Sequence, residues 1–489
     1  MSEPRSDGGW TSPGPMNGTD TIFWRLSGST FTRPHVTWAW LLDSTPDWGL
    51  FVRTCEHAVA RLPRLTHRVT DSSLRTGPPS WAEDTDFRLS RHVHRMVLPA
   101  PAGLRELLDM VEWRVSADFD ALHPPWEITL VEGYLTHRAA VILKWHHSLG
   151  DAVTIVAAVR RLMEGRPPAA PSATAPPPPR PTEPAPRSRV GMGLHRTLEA
   201  VGEVTTTALR GGVRALSRPG RVGEGMRSVG RAATQLLPPA LPSPLLTHRS
   251  SAIHCGTVTV PLTELRAAGK AAGVSVTSAY VSAVLGAFHR YHDHHGLVRS
   301  TLPVLVPVSF RETHETGAGN LIAGVVIAGA IGDMPAQSRM VSVHAAVAEA
   351  RGSVARGACT MVAGLGALMP EPVYRHVAPT LLRRIDVVVT SVPGLPESAK
   401  VAGSGVCHAV PWAPRGGAAA NISMASHGDL CGIGTNLDPA AITDPQLFDR
   451  FLQDSFEETL RSVRRSAGSP PAHRPGPPRP DTSRSQDDG

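Results

Sequence analysis

The chain has 489 residues, 41% hydrophobic and 19% charged, enough apolar material for a sizeable core, which excludes wholesale disorder. The formal net charge of +7 is local: ten arginines and three glutamates, with no lysine or aspartate, lie between Arg187 and Arg249, which argues against a protein-wide nucleic-acid footprint. No uninterrupted apolar run reaches the roughly 18–20 residues of a spanning helix, the opening MSEPRSDGGW lacks the apolar core of a secretion signal, and Cys55, Cys255, Cys359, Cys407 and Cys431 are scattered with no C-x-x-C pair, which points to a reduced, cytoplasmic setting.

A first lobe is expected over residues 15–165. Near its end, a strand over Ile128–Tyr134 follows the break at Pro124-Pro125, Thr136-His137 turns, and Ala139–Trp145 forms a buried strand, apolar except for Lys144. The segment His146-His147-Ser148-Leu149-Gly150-Asp151 comes next, with Asp151 at the N-cap of a helix over Ala152–Met163. Ten prolines between Pro167 and Pro186 mark residues 166–190 as an extended linker. Residues 191–249 form a basic connector, in which Met192, Leu194, Leu198, Val201, Val204, Leu209, Val213 and Leu216 recur at helical spacing. That pattern fits a helix on an anionic lipid surface, and equally an inter-lobe helix with solvated arginines.

The second lobe is expected over residues 250–465. It opens with a strand at Gly256–Val260, then helices over Pro261–Ala272 and Thr277–His292. Strands follow at Leu302–Val308 and Ile385–Thr390, then a hairpin of Asn421–Ala425 and Leu430–Thr435. Residues 466–489 read as a disordered tail. Strands and helices mix in both lobes, so the class is α/β with mixed sheets.

The strongest chemical constellation is His146-His147-x-x-x-Asp151 at a strand end. A neutral imidazole there can take a proton from an alcohol as its oxygen becomes a nucleophile. Side chains alternate along a strand, so one histidine of the pair is expected to face substrate. Asp151 can fix the loop through an arginine or backbone N–H groups, and Gly150 supplies conformational freedom. On residues alone, a half-buried histidine pair before a capped helix explains the segment as well. The run His289, His292, His294, His295 reads as a solvated helix end rather than a metal site. Trp38, Trp40 and Trp126 read as core.

Further blocks add context. H-H-x-x-x-D resembles the active-site motif of the CoA-dependent acyltransferase superfamily. Trp81-Ala82-Glu83-Asp84-Thr85-Asp86-Phe87, Arg91-His92-Val93, Leu98-Pro99-Ala100-Pro101, Pro124-Pro125-Trp126-Glu127, Val306-Pro307-Val308-Ser309-Phe310-Arg311, Gly319-Asn320 and Ser391-Val392-Pro393-Gly394 resemble, in order and spacing, blocks of the bacterial wax ester synthase/diacylglycerol acyltransferase family. The resemblance covers about Pro15–Arg465.

It implies two chloramphenicol-acetyltransferase-like lobes with a tunnel between them, which acyl-CoA and alcohol enter from opposite sides. It implies acyl-CoA as co-substrate, no bound cofactor or metal, and no nucleic-acid partner. His147 would be the general base that deprotonates a fatty alcohol or diacylglycerol, with His146 supporting it and Asp151 setting the loop. Gly150, Trp126, Ser309, Asn320, Ser391 and Gly394 would line the substrates. Separately from the resemblance, the basic segment Arg196–Arg231 leads to an expectation of peripheral, salt-sensitive attachment, at the inner membrane face or lipid bodies. Ala152 replaces the usual glycine, Thr277-Ser278 the usual Asn-Asp pair, and Ser391 the usual asparagine. These departures keep open a different alcohol or amine acceptor, or an inactive lipid-binding relative.

Overall fold

The computed structural model describes residues 13–27, 31–71, 78–135, 138–164, 238–309, 322–353, 380 and 382–467. The strands are β1 (Gly14–Pro15), β2 (His35–Leu42), β3 (His67–Thr70), β4 (Ser80–Glu83), β5 (Val93–Val97), β6 (Trp126–Tyr134), β7 (Arg138–His146), β8 (His254–Pro261), β9 (Thr301–Ser309), β10 (Ile322–Ala330), β11 (Val387–Leu395), β12 (Lys400–Val401), β13 (Ser404–Trp412), β14 (Ala420–His427) and β15 (Leu430–Leu437). The helices are α1 (Gly18–Leu26), α2 (Trp48–Arg61), α3 (Leu104–Ser116), α4 (Ala152–Glu164), α5 (Leu262–Ala271), α6 (Val276–His294), α7 (Ala336–Ser353) and α8 (Pro445–Ala467).

Among the described residues, two mixed six-stranded sheets carry the fold, beside a small sheet of order β1-β4-β3. The first has the order β12-β13-β2-β7-β6-β5, antiparallel except for the parallel β5–β6 pair. The second has the order β10-β9-β11-β14-β15-β8, with β11 parallel to both neighbours.

The expected lobe boundary needs one correction. Residues 400–412 come from the second half of the chain, yet β13 pairs with β2, Trp412 opposite Thr37. The chain thus crosses from the second sheet into the first and back. The return is tight: a Cβ on Gly432 or Gly434 of β15 would lie 2.0 Å from the carbonyl oxygen of Ala409 or Pro411. These two glycines let β15 lie against the β13 backbone. Trp412 Nε1 donates to Gly256 O at 3.0 Å, which ties β13 to β8.

Other differences are local. β11 does not stop before Ser391 but continues through Gly394, with a register irregularity between Val392 and Leu395. The linker at 166–190, most of the connector and nearly all of the tail lie outside the described residues. The stretch 238–249 holds one short 3-10 turn, Pro244–Leu246, and no α-helix.

Each large sheet has its own apolar core, and the first draws in residues between Leu395 and Ala425 from the second half of the chain. α6 is buried nearly all round, from Ser278 to Phe288 and again at Tyr291 and His292, which explains why its pattern is apolar on every face. Among the described residues no single helix is long and apolar enough to cross a membrane. The bent pair α5 and α6 passes on length and composition, but α6 is the centre of the second core. Trp38, Trp40 and Trp126 lie in the first core, as their residue type suggested. His292 corrects the solvated reading of the histidine run. It is 2% exposed, and its Nε2 lies 2.8 Å from Ser243 Oγ, whereas His294 and His295 are exposed.

Candidate active site

β7 is a central strand of the first sheet, flanked by β2 and β6. Its run Ala139–Ile142 is buried, and the strand ends at His146. His147 begins a one-turn 3-10 segment, His147–Leu149, and α4 follows from Ala152. The backbone holds the turn from both neighbours: His146 N–H donates to Pro125 O at 2.9 Å and His147 N–H to Pro34 O at 2.7 Å.

The two histidines occupy different environments. His146 is 1% exposed. Its Nδ1 accepts the backbone N–H of Ser148 at 3.1 Å, so the ring proton sits on Nε2, which donates to Ser27 Oγ at 2.7 Å. Burial, then the neighbouring His147 and Lys144, push its pKa down to about 3, so it is neutral at physiological pH. His147 is half-buried, and its ring lies flat against Phe23.

Beneath the pair, His35 sits opposite His146 across the strands, with ring centroids 5.7 Å apart. Burial first, then His146, Lys144 and Arg33, hold His35 well below the ordinary histidine range. Lys144 is 1% exposed, donates to Ala117 O at 2.6 Å and lies 4.2 Å from the centroid of Phe119. Burial lowers its pKa to about 8. Desolvation thus drives this basic column toward its uncharged forms.

Asp151 is 1% exposed and caps α4: its Oδ1 accepts the backbone N–H of Thr154 at 2.8 Å and the Thr154 hydroxyl at 2.7 Å. The backbone anchor that the sequence suggested is thus present. Ala152 is the first helical residue, where right-handed geometry suits alanine.

Gly150 is a correction. Its φ of 163° is extended, and a Cβ there would make ordinary contacts of 3.4 Å and longer. No special conformational freedom is needed. Its carbonyl accepts Trp145 Nε1 at 3.2 Å.

The remaining predicted residues scatter. Trp126 is 5% exposed, stacks on His92 with centroids 4.7 Å apart, and donates from Nε1 to Leu65 O at 2.8 Å. Its indole is committed to packing. Ser391 is exposed on β11, the strand against which α4 packs. Gly394 is buried at the β11 irregularity, where a Cβ would lie 1.3 Å from Ser426 O. Its role is therefore close backbone approach. Ser309 ends β9, but its side chain, like all of Asn320, lies outside the described residues. Ser278 donates or accepts at Ser275 Oγ, 2.9 Å, and His344 Nδ1, 3.1 Å, so a polar cluster persists where the Asn-Asp pair is missing.

The sequence reading missed α1. Its Phe23 and Trp24 and its C-cap Ser27 all touch the histidine pair, and Ser27 is 119 positions from His146. No local signal links those positions. Cys55 and Cys431 have thiols pushed up by burial to about 12 and about 11, so neither offers a thiolate at neutral pH.

The chain matches two family models: the wax ester synthase/diacylglycerol acyltransferase catalytic domain over residues 16–280, and the C-terminal domain of the same family over residues 318–459. A Mycobacterium tuberculosis protein with the provisional name diacylglycerol O-acyltransferase is 32% identical over 449 residues, 90% of each chain. A second from that organism, with the same provisional name, is 26% identical over 478 residues, 92% of this chain and 98% of the relative. Among solved structures, the wax ester synthase/diacylglycerol acyltransferase of Marinobacter aquaeolei is similar with a TM-score of 0.60 at 20% identity, over 92% of this chain and all of that one. The first condensation domain of the calcium-dependent antibiotic synthetase shares the fold, with a TM-score of 0.56 at 15% identity, over 93% and 98%.

Proposed function

The chain belongs to the wax ester synthase/diacylglycerol acyltransferase family and is an acyl-CoA-dependent acyltransferase, and on that footing we propose that it esterifies a lipid hydroxyl with His147 as general base. The acceptor is a diacylglycerol or a long-chain alcohol. The observation that carries the assignment is the contrast within the pair. His146 is 1% exposed, whereas His147 is half-buried at the head of the turn.

In the reaction, a ring nitrogen of His147 takes the hydroxyl proton while the hydroxyl oxygen attacks the thioester carbonyl carbon. The carbon–sulfur bond then breaks, and the departing thiolate recovers the proton from the imidazolium. The products are an ester and free coenzyme A, with no acyl-enzyme. His146, kept neutral by burial, adds no second positive charge beside the imidazolium. Asp151 holds the start of α4 so that the turn keeps its geometry.

The test is coenzyme A release from palmitoyl-CoA with hexadecanol or dipalmitoylglycerol, beside His147→Ala. A loss of roughly 10²–10⁴-fold in acceptor-dependent release, with melting unchanged, is the expected result. Full activity in the variant would overturn the assignment.

Peripheral attachment to a lipid surface, at the inner membrane face or on lipid bodies, belongs to the same proposal. Its support is the arginine-rich, helically spaced connector and the lipid nature of the acceptor. Flotation with anionic vesicles that fades at high salt is expected, and no binding at low salt would reject it.

A further inference from the structure

α1 is also anchored away from the site. Asn17 caps it by accepting the Asp20 N–H at 2.7 Å, and Met16 N–H donates to Pro79 O at 2.8 Å just ahead of it. Its own Thr21 and Arg25 are buried, and Trp24 packs against the first apolar core. Phe23 sits on this platform but, unlike Trp24, is not among the described residues packed against that core. Its ring instead lies on His147, with centroids 3.9 Å apart and planes 8° from parallel. The next residues support the same arrangement: Trp24 meets His146 edge-on at 5.1 Å, and Ser27 Oγ accepts the hydrogen bond of His146 Nε2–H.

We propose that Phe23 is a positioning residue, whose ring fixes the plane of the His147 imidazole and favours the imidazolium formed when the acceptor hydroxyl gives up its proton. The inference rests on His147 as the base. Two physical effects support it. A flat aromatic neighbour removes rotational freedom about the last side-chain bond, so the basic nitrogen meets the hydroxyl in one orientation. The negative face of a phenyl ring attracts a cation stacked on it more than a neutral ring. The contact therefore strengthens as the proton arrives, which is the condition for acting on turnover rather than on substrate binding.

An aliphatic side chain of similar volume keeps the packing and loses both effects. In the full-length protein, Phe23→Leu is expected to lower kcat by about tenfold with the KM for palmitoyl-CoA little changed. The acidic limb of kcat/KM moves to lower pH, because the imidazolium has lost its aromatic face. Phe23→Tyr, which restores a flat ring, recovers most of the lost rate. The proposal is overturned if Phe23→Leu keeps the parent kcat and pH profile. It is also overturned if Phe23→Tyr is as slow as Phe23→Leu and both melt lower, since that pattern marks a packing role alone. His147→Ala, run in parallel, separates the two levels. Activity in that variant rejects the base itself, whereas an inactive His147→Ala beside a normal Phe23→Leu rejects only the positioning.

Discussion

Ser27 Oγ lies 2.7 Å from His146 Nε2, across 119 positions of sequence, and with the Ser148 N–H on Nδ1 it fixes His146 as a neutral imidazole. The folded pKa of His146 is depressed to about 3. Between that value and the ordinary histidine range, the unfolded chain holds a proton that the folded protein does not. Stability therefore rises with pH across this window and is lost as acid approaches the folded pKa, by on the order of a few kcal/mol. His146→Gln should flatten this rise. Urea midpoints between about pH 4 and pH 7 read it, and an unchanged slope would show that His146 titrates normally.

Asp151→Ala removes the acceptor of both the Thr154 N–H and its hydroxyl at the start of α4. The cost should be about 1–2 kcal/mol, a fall of a few degrees in melting temperature. Asp151→Asn keeps an acceptor and should lose less. Equal losses in the two variants would mean that the negative charge, and not the cap, matters.

Gly394→Ala puts a methyl where the Ser426 carbonyl oxygen stands, 1.3 Å from the ideal Cβ position. β11 and β14 must then separate locally. A loss of roughly 3 kcal/mol or more, or failure to fold, is expected from overpacking against backbone. Thermal melting within a degree of the parent would refute the close approach.

Lys144→Met replaces a buried amine, its pKa lowered to about 8, with an apolar chain of similar length. As pH falls from about 10.5 to about 8, the unfolded lysine takes up a proton that the folded one refuses, so the parent loses stability. The parent should therefore gain on the variant as pH rises through this window. A pH-independent difference between the two would show that folding does not shift the Lys144 titration.

Much of the candidate site's local layout was legible along the chain because its signals are local. The run Ala139–Trp145, the His146-His147 pair and the Asp151 cap follow one another within a strand, a turn and a helix start, and each is set by alternation, burial and capping. The ordered blocks from Trp81 to Gly394 marked the family, and the matched domains bear that out. Individual roles were less legible. Trp126 and Gly394 stand inside those blocks, yet one fills the core and the other admits a backbone carbonyl.

Sequence by itself determined the class of fold, the histidine motif and the family, because periodicity and short-range spacing are properties of neighbouring residues. Only the tertiary structure decided that β13 leaves the second half to pair with β2, and that α1 covers the histidine pair with Phe23, Trp24 and Ser27. Those arrangements depend on which distant surfaces exclude water together, and on glycines such as Gly432 and Gly434 that let two backbones meet. The same long-range burial made His146 neutral and left His147 half-buried, a difference between adjacent identical residues that no local pattern contains.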